Sequence, residues 1–302
     1  MKWQGRERSS NIEDRRSQGG GGLGGNMGGL GGGRIPIPMG RAGGGGLGIV
    51  GIIVVLGVLW FMGINPLDAI LGTGGGTTTS QTQQWSPPPS SASQDDLANF
   101  VGVVVKDTEN LWGDVFRQNN MTYQPPKVVL FTDATQSACG VAQSASGPFY
   151  CPNDKKVYID LSFYDQLRQQ FGAPGDFAQA YVIAHEIGHA VQDQTGVLPE
   201  FNRQRASMSQ EQQNAYSVRV ELQADCYAGV WANYVNRENL LEQGDTEEAI
   251  TAANAIGDDT LTRGQVSSRN FTHGTSAQRM AWLKKGMQTG DVSQCDTFKG
   301  AI

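Results

Sequence analysis

Between residues 177 and 191 the apolar positions recur at spacings of three and four: Phe177, Ala180, Tyr181, Ala184, Gly188 and Val191. That period lays one stripe along a helix. Pro174 and Gly175 precede it as breakers, Asp176-Phe177-Ala178-Gln179 reads as a capping box, and Gly196 supplies a stop. A glycine inside a helix, here Gly188, costs about 1 kcal/mol relative to alanine. Close approach of another backbone would explain it. The same reading predicts helices over 97–118, 161–171, from Ser209 to about residue 235, from Asp245 onward and over 275–287. Lys127-Val128-Val129-Leu130-Phe131 and Lys156-Val157-Tyr158-Ile159 read as strands, joined by a long hairpin-like loop holding Gly140, Gly147 and Pro148. Helices dominate, with a small sheet ahead of the 177–191 helix and no internal repeat, so the class is α+β.

The first 96 residues follow another pattern. Residues 1–46 are Gly-rich and polar, with runs at 19–22, 31–33 and 43–46. Such a stretch buries too little apolar surface to offset its ordering entropy and is expected to be disordered. Residues 47–64 carry no charge and consist mainly of Leu, Ile, Val, Gly and Trp. Extended back to Ala42 they are long enough to cross a hydrocarbon core of about 30 Å, with Trp60 and Phe61 suited to the far interface. A cleaved signal peptide would have a shorter apolar region nearer the start and an A-x-A-like site after it. The expectation is therefore an uncleaved anchor. Seven Lys or Arg precede it, and Asp68 follows closely on the other side. The positive-inside rule then puts the N-terminus in the cytoplasm and the rest outside. Residues 65–96, with Thr/Ser/Gln and Pro/Ser runs, read as a flexible linker, and 97–302 as one globular domain.

That domain holds 16 basic and 23 acidic residues, a net charge of −7 with histidine neutral, which argues against nucleic acid as a partner. All four cysteines fall within it, consistent with an oxidising compartment. A four-thiolate zinc site would show closely spaced pairs, and there are none. Cys139 and Cys151 flank a Gly/Ser/Pro-rich turn and are paired. Cys226 with Cys295 follows by elimination, among the three connectivities that four cysteines allow.

The chain has three histidines, and two lie in His185-Glu186-Ile187-Gly188-His189. On a helix, residues four apart share a face, so both imidazoles of this H-E-x-x-H segment can aim at one point. Neutral imidazoles in that arrangement suit Zn2+, and Glu186 stands where a general base can take a proton from a metal-bound water. The alternative is a helix with two satisfied core histidines. Catalytic zinc takes a third protein ligand. Asp193 lies on the same helix, where the face rotates away. His273 could also coordinate. Glu221, on a separate helix in Glu221-Leu222-Gln223-Ala224-Asp225, is the preferred candidate. Asp225, one turn on, can accept a hydrogen bond from a ligand imidazole and fix its tautomer. A solvated face is the alternative for this pair, but Val220, Leu222, Ala224, Cys226 and Tyr227 surround it.

With these residues in place the chain resembles the gluzincin arrangement of zinc peptidases. More closely, it resembles the neutral zinc metallopeptidase family of bacterial membrane-anchored proteins. The resemblance is carried by Trp3-Gln4-Gly5-Arg6 through Glu13-Asp14-Arg15-Arg16, by Gly147-Pro148-Phe149-Tyr150-Cys151-Pro152, and by Glu221-Leu222-Gln223-Ala224-Asp225-Cys226. It covers nearly the whole chain. It implies a mostly helical, zincin-like metalloprotease domain with His185, His189 and Glu221 as ligands of Zn2+ and Glu186 as acid/base. By analogy to gluzincins, His273 is the candidate donor to the oxyanion. The expected substrate is a protein or peptide, and the expected location a bacterial inner membrane with the domain on its outer side. A zinc-stabilised binding domain without turnover, or a hydrolase of cell-wall peptides, are the alternatives.

Overall fold

The computed structural model describes residues 1–18, 94–169 and 171–302. Its sheet has four strands in the order β1 (Ile12–Asp14), β2 (Lys127–Phe131), β6 (Lys156–Asp160), β5 (Phe149–Cys151). β1 and β6 both run parallel to β2, and β5 is antiparallel to β6. A separate hairpin, β3 (Ala134–Ser137) with β4 (Gly140–Gln143), lies between β2 and β5 in sequence. The expected hairpin-like link between the two main strands is thus corrected: they pair in parallel, Lys127 opposite Lys156, and the small hairpin fills the crossover. Both strands are buried on two faces, which is why they read as apolar runs. Val128, Leu130, Val157 and Ile159 join the main helical core. Val129, Phe131 and Tyr158 pack on the other side with Ala142, Cys151 and Phe149.

The helices are α1 (Gln94–Gln118), α2 (Phe163–Gln169), α3 (Asp176–Gln194), α4 (Val197–Gln204), α5 (Gln210–Arg237), α6 (Asp245–Ala255), the single turn α7 (Asp258–Leu261) and α8 (Ser276–Thr289). α3 is buried on nearly every side, packed by α1, α5 and α6. Its expected capping box does not form. Asp176 is already helical, and the Phe177 N–H is accepted at 3.0 Å by Glu248 of α6, so the cap comes from another helix. The boxes at the heads of α5 and α8 do form, through Ser209 with Gln212 and Thr275 with Gln278. Both cysteine pairs are disulfides, Cys139–Cys151 and Cys226–Cys295.

Where α5 meets α8, two glycines touch backbone to backbone. A Cβ on Gly286 would lie 2.1 Å from the Cys226 carbonyl oxygen, and one on Gly229 would lie 2.2 Å from that of Leu283. Gly286→Ala is expected to cost about 3 kcal/mol, since overpacking against backbone leaves no flexible atom to yield. Chemical denaturation of the two proteins measures it, and a change under 1 kcal/mol would mean the helices simply move apart.

Residues 1–18 overturn the expectation of disorder for that part of 1–46. Besides β1, the Met1 ammonium lies 2.7 Å from Asp176, 3.2 Å from Glu242 and 3.3 Å from Asp245. Trp3 meets Phe100 edge to face, and Arg6 forms a two-pronged pair with Asp107 of α1 at 2.6 and 2.8 Å. Composition averaged over 46 residues hides this, because the glycine runs begin only at Gly19. A segment cannot pack onto a domain across a bilayer. The expected separation of residues 1–18 from the domain is thus replaced by direct packing against it. The expected anchor at 47–64, and nearly all of the linker, lie outside the described residues. Among the described residues no helix is long and apolar enough to cross a membrane.

Candidate metal centre

The H-E-x-x-H spacing sets His185 and His189 one turn apart on α3, with ring centroids 4.8 Å apart and planes nearly perpendicular. Glu221 of α5 faces both. His185 Nε2 lies 3.1 Å from its Oε2, and His189 Nε2 lies 3.5 Å from its Oε1. One donor atom from each of the three residues lies within 4.8 Å of the others. α5 can come this near because α3 has Gly188 opposite Ala224, where a Cβ would sit 3.3 Å from the Ala224 Cα. The helix-weakening glycine thus has the expected cause.

Each imidazole holds its far nitrogen on a partner. His185 Nδ1 lies 2.9 Å from Asp225 Oδ1, and His189 Nδ1 lies 2.8 Å from Gln192 Oε1. Both Nε2 atoms are thereby turned toward Glu221. Two imidazole nitrogens and a carboxylate with fixed outer partners form the donor set that zinc takes. The residues present therefore fit the metal that the sequence implies. Among the described residues, neither Asp193 nor His273 enters the three-donor group. Asp193 instead accepts the Tyr150 hydroxyl at 2.9 Å.

Electrostatics favour a cation here. Burial works against the Glu221 carboxylate, but His189, His185 and His273 outweigh it and hold its pKa well below the usual range. Burial likewise lowers the His185 imidazole. Asp225 and Glu221 overcome that and raise it to about 10, so without a metal this cavity holds a proton. Glu186 is buried beside the pair, and burial pushes its carboxyl upward, partly offset by His189 and His185. A glutamate in that state can take up and release a proton.

Behind His185, Asp225 belongs to a charged cluster with Tyr181 and Arg279, two partners that the sequence did not signal. Asp225 is fully buried. It accepts the Tyr181 hydroxyl at 2.6 Å and two bonds from Arg279 of α8, from Nε and Nη2, both at 2.9 Å. Burial raises its pKa, but Arg279 and His185 bring it down to about 2. His273 is held from behind as well. Asp258 of α7 accepts the backbone N–H groups of Thr272, His273 and Gly274 on one oxygen, at 2.7 to 3.1 Å, and its other oxygen lies 3.1 Å from His273 Nδ1. A carboxylate preceding a loop that carries the third histidine was the available signal for Asp258. Gln192 had none, since a glutamine within a helix is unremarkable.

Comparison with known proteins adds the family. A family model described as "Putative neutral zinc metallopeptidase" matches residues 1–298. The uncharacterized protein YpfJ of Escherichia coli (strain K12) is 45% identical over 305 residues, covering 100% of both chains. An uncharacterized protein of Mycobacterium tuberculosis (strain ATCC 25618 / H37Rv) is 42% identical over 220 residues, covering 68% of this chain and 73% of that one. No solved structure matches.

Proposed function

The chain belongs to this neutral zinc metallopeptidase family, and on that footing we propose that it hydrolyses peptide bonds of protein or peptide substrates with one zinc ion. The observation that carries the reading is the convergence of both Nε2 atoms on Glu221 with Glu186 buried beside them. His185, His189 and Glu221 would hold the metal. When bound, zinc would polarise the scissile carbonyl and lower the pKa of a water at the site to about 7. Glu186 takes the proton from the attacking water and returns it to the leaving amine. Asp225 and Gln192 keep the two imidazoles aimed. His273 gives its Nδ1 proton to Asp258, and although burial lowers its pKa, Asp258 and Glu221 raise it, so as the imidazolium it keeps an Nε2–H to donate to the developing oxyanion.

A structural zinc domain is the weaker reading. Structural sites close with four protein ligands, whereas catalytic ones keep a position open. Among the described residues the group has three donors. The purified protein is expected to carry one zinc and to cleave an unfolded protein such as casein. A strong chelator should abolish cleavage and added zinc restore it. Stoichiometric zinc with no cleavage of unfolded protein or of cross-linked wall peptides would sink the enzymatic reading and favour a binding domain.

We further propose that the domain works on the exported side of a bacterial inner membrane, associated through residues 47–64, because two disulfides need an oxidising compartment. Residues 1–18 go with it. All four cysteines are paired, so single cysteines introduced at the exposed Ser10 and Gln288 report cleanly. A membrane-impermeant maleimide on intact spheroplasts should label both. Labelling at Gln288→Cys alone would mean that residues 1–18 do not pack on the domain in the cell.

A further inference from the structure

His185 and His189 are oriented by different means. His185 is backed by a carboxylate within a charged cluster. His189 is backed by a neutral amide on its own helix, three residues on, and an amide can present either its oxygen or its NH2. Two backbone carbonyls decide which. Gln192 is fully buried, and its Nε2 lies 2.7 Å from the Val220 carbonyl oxygen and 3.0 Å from Gln223 Oε1. Gln223 in turn places its Nε2 3.0 Å from the Cys295 carbonyl oxygen. A carbonyl oxygen can only accept. Gln223 must therefore give its NH2 to Cys295 and its oxygen to Gln192. Gln192 must give its NH2 to Val220 and Gln223, and so its oxygen to His189. With that oxygen opposite it, His189 Nδ1 carries the proton and Nε2 keeps its lone pair for the site. Turning either amide over sets oxygens against oxygens in a dry interior, which is the costly outcome there.

The far end of the relay is anchored. Cys295 is fully buried and bonded to Cys226 of α5, three residues beyond Gln223. Arg219 of α5 donates to the carbonyls of Thr297 and Gly300, and Thr297 Oγ1 donates back to the Arg219 carbonyl at 2.6 Å. The carbonyl that sets the orientation of both amides thus belongs to a C-terminal segment pinned by a disulfide.

The geometry points to Gln192 and Gln223 as positioning residues for the metal: a buried two-amide relay, fixed by the Val220 and Cys295 carbonyls, selects the tautomer of His189 and couples zinc affinity to the disulfide-anchored C-terminal segment. This rests on His189 being a zinc ligand. Loss of a hydrogen-bond partner behind a ligand imidazole typically changes metal affinity 10- to 100-fold.

The test measures zinc affinity by competition with a chromophoric chelator, and the visible spectrum of the cobalt-substituted protein, for the full chain, three single variants and one double variant. Gln192→Met is expected to weaken zinc at least 10-fold and shift the cobalt bands. Gln192→Glu keeps an acceptor toward His189 and, protonated, a donor toward the Val220 carbonyl, so it should recover affinity to within a few-fold of wild type. Gln223→Met should weaken zinc several-fold in the wild-type background and have no further effect in Gln192→Met. That non-additivity distinguishes a relay from two separate packing defects, which would add. Reduction of Cys226–Cys295 should behave as Gln223→Met does. Additive losses, or unchanged affinity and cobalt spectrum in Gln192→Met, overturn the proposal. If Gln192→Met does not fold, Gln223→Met alone decides by the same two readouts. Failure of the underlying reading looks different: zinc binding in the wild type would then survive His189→Ala.

Discussion

Glu186→Gln keeps one zinc per chain and loses turnover by about 10²- to 10⁴-fold, the usual share of a positioned general base. The substitution removes no ligand, since the three-donor group is His185, His189 and Glu221. Nor should it disturb packing. The amide is nearly isosteric, and burial already pushes the Glu186 carboxyl toward its neutral form, so a neutral side chain is at home there. Zinc content by elemental analysis and kcat on an unfolded protein substrate decide it. A variant retaining a tenth of wild-type kcat would mean another group moves the proton, and Glu186 would return to being a buried neighbour of the metal site.

Arg279→Met should destabilise the metal-free protein by about 3–5 kcal/mol, the range found when one partner of a buried ion pair is removed. Arg279 and Asp225 are both buried, and the guanidinium is the main force holding Asp225 ionised. Without it the carboxyl must stay charged in a dry setting or take up a proton. In the second case His185 loses its anionic partner, and zinc affinity falls along with stability. Replacing both charges, Arg279→Met with Asp225→Asn, should recover part of the stability but not the zinc affinity, because Asn offers His185 a weaker acceptor. Urea unfolding of the metal-free proteins and chelator competition separate the two effects. A single variant within 1 kcal/mol of wild type would show that Asp225 is not dependent on Arg279.

These predictions draw unequally on what the sequence revealed. His185, Glu186 and His189 were legible because four-residue spacing is local geometry, and Glu221 with Asp225 because a charged pair stood among apolar neighbours. The Ser209 and Thr275 boxes were legible for the same local reason. The failures are all non-local. Asp176 looked like a cap, but Glu248, 71 residues from Phe177, takes the bond. Ile12-Glu13-Asp14 has no strand pattern of its own and becomes one because β2 offers it a hydrogen-bonding edge. The parallel pairing of β2 and β6 has no crossover helix to signal it. Arg279 and Tyr181 reach Asp225 across 54 and 44 residues. The amides of Gln192 and Gln223 carry no sequence signature at all.

The seating of β1 against β2 also governs how the protein behaves before it is finished. Val128-Val129-Leu130 is an apolar strand whose outer backbone groups are met by Ile12, Glu13 and Asp14. Any moment in which residues 1–18 are elsewhere leaves that row open, and an open apolar edge recruits strands from other chains. Residues 1–18 leave the ribosome well before β2, yet the carboxylates that hold Met1 lie as far on as Asp245. The guard is thus made first and fastened late. A version trimmed to residues 94–302 would keep every group of the metal centre and lose that guard, so its failure mode is self-association rather than loss of chemistry.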